Sequence, residues 1–265
     1  MFWVNGQPSD TLSLTDRSFQ YGDGCFTTIL VCDGELQYWD MHVERMESCL
    51  RCLAIPAPDW RQVEHWLSTI VPSTAKSGVK IHISRGQGGR GYSPANVGDS
   101  QVTISTFEYP AHYGQWIADG IELGVCQQRM GLSPLLAGHK HNNRLEQVLL
   151  KSEMDAKGYA DGIALDINEH VIETTVANIF WVSGDRLCTP SLDNAGVAGV
   201  IRRVLLAAAT DLKVEVRTFS LEELLSADEV FITNSLLGVA PVTAIANTIF
   251  PIGKITRYFQ ERFNS

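Results

Sequence analysis

The sequence predicts an α/β (α+β) chain folded in two parts, and three observations carry that prediction. Its 265 residues exceed what one hydrophobic core usually serves. Short β-branched runs alternate with segments of helical apolar spacing in both halves. A stretch containing Pro and Gly near the middle breaks both periodicities. Apolar residues at 45% and charged residues at 19% suit a protein that buries a sizeable core.

In chain order, Phe26 to Val31 is apolar and β-branched, Asp33-Gly34 is a tight-turn dipeptide, and Leu36 to Trp39 follows, which reads as a hairpin. Asp40 is placed to cap a helix whose apolar positions Val43, Met46, Leu50 and Leu53 keep helical spacing up to Pro56. A second helix starts near Asp59 and carries Val63, Trp66, Leu67 and Ile70 on one face. Val79, Ile81 and Ile83 alternate as a strand, a glycine loop runs from Gly86 to Gly91, and Gln101 to Phe107 is another strand. The break at Tyr109-Pro110-Ala111-His112-Tyr113-Gly114 divides an N-terminal α/β domain, 1–110, from a C-terminal domain, 117–265, with 111–116 as linker.

The second part opens with a strand from Ile121 to Cys126, followed by a helix from about Arg144 to Lys157 that ends at Gly158. Gly162 to Ile167, Val171 to Thr175 and Ile179 to Val182 read as strands, and Val200 to Ala209 as an apolar helix. Val214 to Val216, Glu229 to Thr233 and Val239 to Ala244 add strands before a closing helix at Lys254 to Phe263.

A net charge of −9 argues against nucleic-acid binding, which selects a basic stripe. No segment offers the roughly 20 apolar residues of a membrane span and no signal peptide opens the chain, so a cytoplasmic protein is expected. Six cysteines over this length do not make a secreted disulfide framework. Cys49 and Cys52 lack a second pair for zinc and are read as packing residues. His139 and His141 have no carboxylate or thiol at ligand spacing, so no metal is expected.

Of seven lysines, Lys140 stands apart, lying in Gly138-His139-Lys140-His141-Asn142-Asn143 just before a helix. Asn143 and Glu146 have capping-box spacing, which would turn a helix N-terminus toward the lysine and favour the neutral amine needed to attack a carbonyl. A solvated loop lysine would look the same locally. Arg45 shares a helix face with His42 and can present an anion-binding fork or a surface ion pair. Gly196 to Arg202 passes from glycine segment to helix, the arrangement that cradles a phosphate, although a plain connecting loop reads alike. Arg85 and Arg90 on the glycine loop suit substrate carboxylates or a mobile turn. Glu173 is an acid at a strand end, and Thr233-Asn234-Ser235 ends another strand with hydroxyl and amide donors.

Together Lys140, Glu173, Arg45, the helix start after Gly199 and the Ser235 loop resemble the fold-type IV pyridoxal-phosphate enzymes, a group that includes branched-chain and D-amino-acid aminotransferases. Gly22-Asp23-Gly24-Cys25-Phe26-Thr27-Thr28, Ile83-Ser84-Arg85-Gly86, Tyr109-Pro110-Ala111-His112-Tyr113 and Lys140-His141-Asn142-Asn143-Arg144-Leu145-Glu146-Gln147 resemble the aminodeoxychorismate lyases within it.

The resemblance implies a smaller N-terminal domain and a larger, β-barrel-like C-terminal one. It implies pyridoxal phosphate on Lys140, Glu173 at the pyridine nitrogen, and Arg45, the Val200 and Ile201 N–H groups, Ser235 and Asn234 around the phosphate. Thr28 would assist Lys140, and Arg85, Arg90 and Tyr109 would meet the substrate. The implied reaction turns 4-amino-4-deoxychorismate into 4-aminobenzoate and pyruvate for folate synthesis, in a homodimer. The alternatives are an aminotransferase of the same fold, against which Leu145 stands where branched-chain aminotransferases carry a tyrosine, and a non-catalytic binding homologue.

Overall fold

The computed structural model describes residues 1–263. The described chain forms two compact units, one of 1–109 with 139–143 and the other of 110–138 with the described residues from 144 onward.

In the first unit, period-two alternation builds an antiparallel sheet. Along Gly24–Cys32 the side chains of Cys25, Thr27, Ile29 and Val31 are buried, while Phe26, Thr28 and Leu30 face the other way. Six strands lie in the order Gln7–Pro8, Phe2–Val4, Gln101–Glu108, Lys76–Ser84, Gly24–Cys32, Glu35–Leu36. The hairpin at Asp33-Gly34 forms, both residues having positive φ as its two-residue turn requires, but its return strand is Glu35–Leu36 and not Leu36 to Trp39, since Trp39 opens a helix. The helices Trp39–Cys52 and Trp60–Ile70 cover one sheet face with Met46, Cys49, Leu50, Val63 and Leu67 against Ile29, Val79, Ile81 and Ile104. Asp59 caps the second helix by accepting from the Arg61 and Gln62 N–H groups. The first helix is capped otherwise than expected: Tyr38 is its N-cap and Asp40 lies in the first turn, where a carboxylate still favours the positive helix end.

The glycine loop is more ordered than its composition suggests. Gly88–Arg90 and Ser93–Val97 pair as a hairpin, held by the buried Arg17, which donates to the carbonyls of Gly91, Tyr92 and Ser93. Arg17 itself belongs to a short helix, Arg17–Tyr21, capped by Asp16, that the sequence reading passed over.

The second unit is a mixed nine-stranded sheet. Its main path runs Val171–Thr174, Asp161–Asp166, Ile121–Met130, Gly238–Ile245, Glu229–Asn234, Asn178–Ser183, Arg186–Pro190, Lys213–Arg217, and Thr248–Ile249 pairs with Gly238–Ile245. Register shifts at Ala164/Leu165 and between Val242 and Ala244 add the local twist that curls a sheet. The helix Leu145–Ala156 packs Leu150 and Met154 on Cys126, Ala164 and Ile172. Gly124 and Gly162 admit Met154, since a Cβ on either would come within 2.6 and 2.2 Å of its sulfur. The helices Val200–Ala208 and Lys254–Phe263 join Phe180, Phe231 and Val239 in another core. The segment 111–116 read as linker overlaps the helix Tyr113–Asp119, whose buried Tyr113 makes ring contacts with His112 and Trp116. Among the described residues no helix is long and apolar enough to cross a membrane.

Candidate functional site

Lys140 belongs to the first unit. Strand Glu35–Leu36 pairs only with the far end of Gly24–Cys32, which leaves the edge at residues 24–26 open. The lysine segment fills it: the Phe26 N–H donates to the Lys140 carbonyl at 3.0 Å and the Asn142 N–H to the Gly24 carbonyl at 2.9 Å. An exposed strand edge needs such partners, which explains why a loop with no strand pattern runs extended here. Asn142 Nδ2 also donates to Ser18 Oγ and to the Ile83 carbonyl. Gly24 is required, because a Cβ there would lie 2.5 Å from Asn142 Nδ2 and 2.0 Å from the Ile83 oxygen.

Lys140 Nζ lies 4.6 Å from the centre of the Phe26 ring, and Lys80 Nζ lies at the same distance. Lys80 sits across the strand pair from Thr28, and burial holds its pKa below the usual lysine value. Two amines over one ring, with Thr28 on the same sheet face, make a basic face suited to an anionic ligand. Lys80 was not found from the sequence; its alternation with Val79 and Ile81 marked it only as outward-facing.

The capping box read at Asn143 and Glu146 does not form. Arg144 is the N-cap of Leu145–Ala156, and its side chain makes no capping hydrogen bond. Asn143 donates to the Gly22 carbonyl, and Glu146 accepts from the Gly131 N–H. Both side chains have non-local partners that outcompete the local motif, so a helix dipole at Lys140 is not inferred from this spacing.

Arg45, half-buried, donates from Nη2 to Thr27 Oγ1 at 2.5 Å, and the same oxygen lies 2.6 Å from His42 Nδ1. Arg85 has a different occupation from the substrate contact expected of it. Its Nε donates to Asp23 at 2.7 Å, Nη1 to the Ala54 carbonyl and Nη2 to the Leu53 carbonyl. Asp23 also pairs with Arg17, and the two guanidinium groups hold its carboxyl below the usual range despite the opposing effect of burial. Arg85 is thus a structural clamp, its three nitrogens engaged by the chain. Arg90 is exposed on the hairpin, and Tyr109 has Lys76 Nζ 5.7 Å from its ring centre.

The second unit holds Glu173, 6% exposed. Its Oε2 accepts from the Val197 N–H at 3.0 Å and faces Asn178 Nδ2 at 3.5 Å. Asn178 donates from Nδ2 to the Val197 carbonyl and accepts at Oδ1 from the Gly199 N–H, so one amide ties the acid to the loop entering the helix Val200–Ala208. Gly199 is the N-cap, leaving the first N–H groups of that helix, Val200 and Ile201 among them, without intrahelical acceptors. Asn178 carries no local signal for this role, because the Val197 carbonyl and Gly199 N–H that fix its amide lie 19 and 21 residues away.

Asn234 Oδ1 accepts from the Leu236 and Leu237 N–H groups, shaping the turn that presents the half-buried Ser235. Arg202 donates to the Pro190 carbonyl. Burial lowers its pKa, while Asp193 and Glu173 act the other way. Among the described residues no cluster of His, Cys, Asp or Glu could hold a metal ion.

The sequence matches the amino-transferase class IV family over residues 24–245. It is 55% identical over 271 residues to a Vibrio harveyi protein named aminodeoxychorismate lyase, with both chains fully covered. A Bacillus subtilis (strain 168) protein of the same name is 29% identical, over 92% of this chain and 86% of the relative. The crystal structure of 4-amino-4-deoxychorismate lyase from Pseudomonas aeruginosa superposes with a TM-score of 0.91 at 37% identity, over 99% of this chain and 97% of that one. Branched-chain amino acid aminotransferase from Escherichia coli superposes at 0.86 but is 23% identical, over 98% and 92%, a likeness of fold alone. The architecture is that of the fold-type IV enzymes. With most of its length inside the family match, the chain belongs to the amino-transferase class IV family.

Proposed function

We propose that this chain is a pyridoxal-phosphate-dependent lyase that converts 4-amino-4-deoxychorismate to 4-aminobenzoate and pyruvate. The observation that carries the reading is Lys140, an amine pinned by its own backbone to the open edge of the strand that bears Thr28. Likeness over the full length to the Vibrio harveyi lyase supports the substrate.

The residues fit the cofactor. Glu173 is an acid aimed by a backbone N–H, as a partner for a ring nitrogen must be. Gly199 opens a helix where a Cβ would lie 2.2 Å from Asn178 Oδ1, so the chain comes close to the helix end without a side chain, as an anion cradle demands.

Bound pyridoxal phosphate supplies an aldehyde that links reversibly to amines and a ring that takes up electron density from the neighbouring bond. Lys140 would hold the cofactor through Nζ and would serve as the base for the C4 proton of the substrate, assisted by Thr28. Loss of that proton with cleavage of the ring C–O bond would make the carbon ring aromatic, the bond electrons leaving with enolpyruvate, which takes up a proton to become pyruvate. Glu173 would pair with the pyridine nitrogen and favour its protonated form. Arg45, the N–H groups of Val200 and Ile201, and Ser235 are the residues that would hold the phosphate, with Asn234 shaping the Ser235 turn. Lys80 and Arg90 meet the substrate carboxylates, Tyr109 borders them, and Arg85 supports the chain beneath.

The protein works as a cytoplasmic homodimer in folate synthesis. Leu145, Val148 and Leu149, adjacent on one helix and exposed by 76, 57 and 54%, are the apolar surface offered for dimerisation.

Incubation with 4-amino-4-deoxychorismate should yield 4-aminobenzoate and pyruvate, and Lys140→Ala should lower the rate by about 10⁴-fold or more, since it removes both the link and the base. Transamination of D-alanine or leucine with 2-oxoglutarate, without 4-aminobenzoate, would make the chain an aminotransferase instead.

A further inference from the structure

Thr27, His42 and Arg45 form a buried bond path whose contribution the proposed roles do not include. Thr27 is on the inward face of Gly24–Cys32 and is fully buried, and His42 is buried on the helix Trp39–Cys52, one turn before Arg45. Thr27 Oγ1 lies 2.5 Å from Arg45 Nη2 and 2.6 Å from His42 Nδ1. A guanidinium only donates, so the threonine oxygen accepts from it. The same oxygen shares a hydrogen bond with His42 Nδ1, as donor or as acceptor according to the imidazole tautomer. Arg45 and His42 thus meet on one threonine oxygen, and each bond polarises the other.

The geometry has a consequence for Arg45. An arginine on a helix face has several rotamers, and a fork that pairs with an anion is useful in few of them. Anchoring Nη2 to an immobile strand hydroxyl sets the plane in which the other N–H groups of the guanidinium lie. Thr27 cannot turn away, because its oxygen is held from both sides within a packed core.

We propose that Thr27 and His42 are positioning residues that orient the Arg45 guanidinium for the cofactor phosphate and so set how strongly the phosphorylated cofactor is preferred over pyridoxal. The proposal rests on the pairing of Arg45 with the phosphate proposed above. Its test is equilibrium titration of the full chain with pyridoxal phosphate and with pyridoxal, alongside the ³¹P resonance of the bound phosphate.

Thr27→Val keeps the side-chain shape and removes the hydroxyl. It should weaken pyridoxal phosphate about tenfold or more, as expected for a lost bond to a charged group, leave pyridoxal unchanged and move the ³¹P resonance. Thr27→Ser should restore the preference, and His42→Leu should lower it in the same sense. Equal weakening toward both ligands would assign Thr27 a merely structural role and overturn the inference. Loss of the preference in Arg45→Ala but not in Thr27→Val or His42→Leu would overturn it while leaving the role of Arg45 intact. A preference that survives Arg45→Ala would instead remove the proposed phosphate pairing on which it rests.

Discussion

His82 stands on the strand Lys76–Ser84 with Nε2 3.1 Å from the Ser18 hydroxyl, which also receives Asn142 Nδ2. Burial, helped by Lys80 and opposed by Asp16, pushes its pKa down to about 4 from 6.5. Between those values the unfolded chain takes up a proton that the folded chain refuses, so folding stability rises with pH there and is lost as pH falls from 6.5 toward about 4. Thermal melting of the wild type should therefore worsen across that window more steeply than melting of His82→Leu, and parallel curves would exclude His82 as the cause. Arg85 and Lys80 divide at the same scale. Arg85→Ala should cost about 1–3 kcal/mol of stability, because Asp23 keeps only Arg17 as its ion-pair partner and the Leu53 and Ala54 carbonyls lose a charged donor. Lys80→Met should leave melting nearly unchanged and raise KM for the lyase substrate; a Lys80→Met variant that melts early with unchanged KM would reverse the assignment.

Among the elements, the entry into the helix Val200–Ala208 is the most sensitive. Gly199 has φ −64°, a value any residue adopts, so alanine would strain nothing in the backbone. The cost is a contact: the new Cβ would press on Asn178 Oδ1, and Asn178 shares Val197 and Glu173 as partners. Gly199→Ala is expected to weaken pyridoxal phosphate about tenfold or more through loss of one or two oriented bonds while the fold persists. Cofactor titration together with circular dichroism would check it, and undiminished affinity would remove the cradle role. Local pattern was a fair guide to these elements. The helical spacing of Val63, Trp66, Leu67 and Ile70 and the alternation of Val79, Ile81 and Ile83 both appear as elements, since each buries one face on a single core. Pattern failed at Arg186–Pro190, whose mix of charge, thiol and proline carries no period, and at Tyr113–Asp119, where Pro110 and Gly114 obscured a short helix.

For the whole molecule, the face of Leu145, Val148 and Leu149 bears on the assembly proposed above. Charging it with Val148→Glu and Leu149→Glu should convert a dimer to a monomer in size-exclusion chromatography with light scattering, because unpaired carboxylates cannot be buried cheaply. A wild type that is monomeric, or a variant that stays dimeric, would take this face out of the assembly. The division of the chain also belongs to this scale. Residues 139–143 lie with the first unit although the residues on both sides of them lie with the second, a placement no linear boundary can express.

By itself the sequence determined the α/β class, most strands and helices, the unusual setting of Lys140 and the acid at the end of Val171–Thr174, since periodicity and residue chemistry are local properties. Tertiary structure decided which of those residues have partners. It turned Asn143 and Glu146 away from a shared cap, engaged Arg85 with Asp23 and two carbonyls, and set Lys80 beside the ring that Lys140 overlies. It also supplied Asn178 to Glu173 and Thr27 to Arg45. The physical reason is that an unsatisfied donor or open strand edge is filled by whatever group the fold brings near, and that group's distance along the chain leaves no mark on the local pattern.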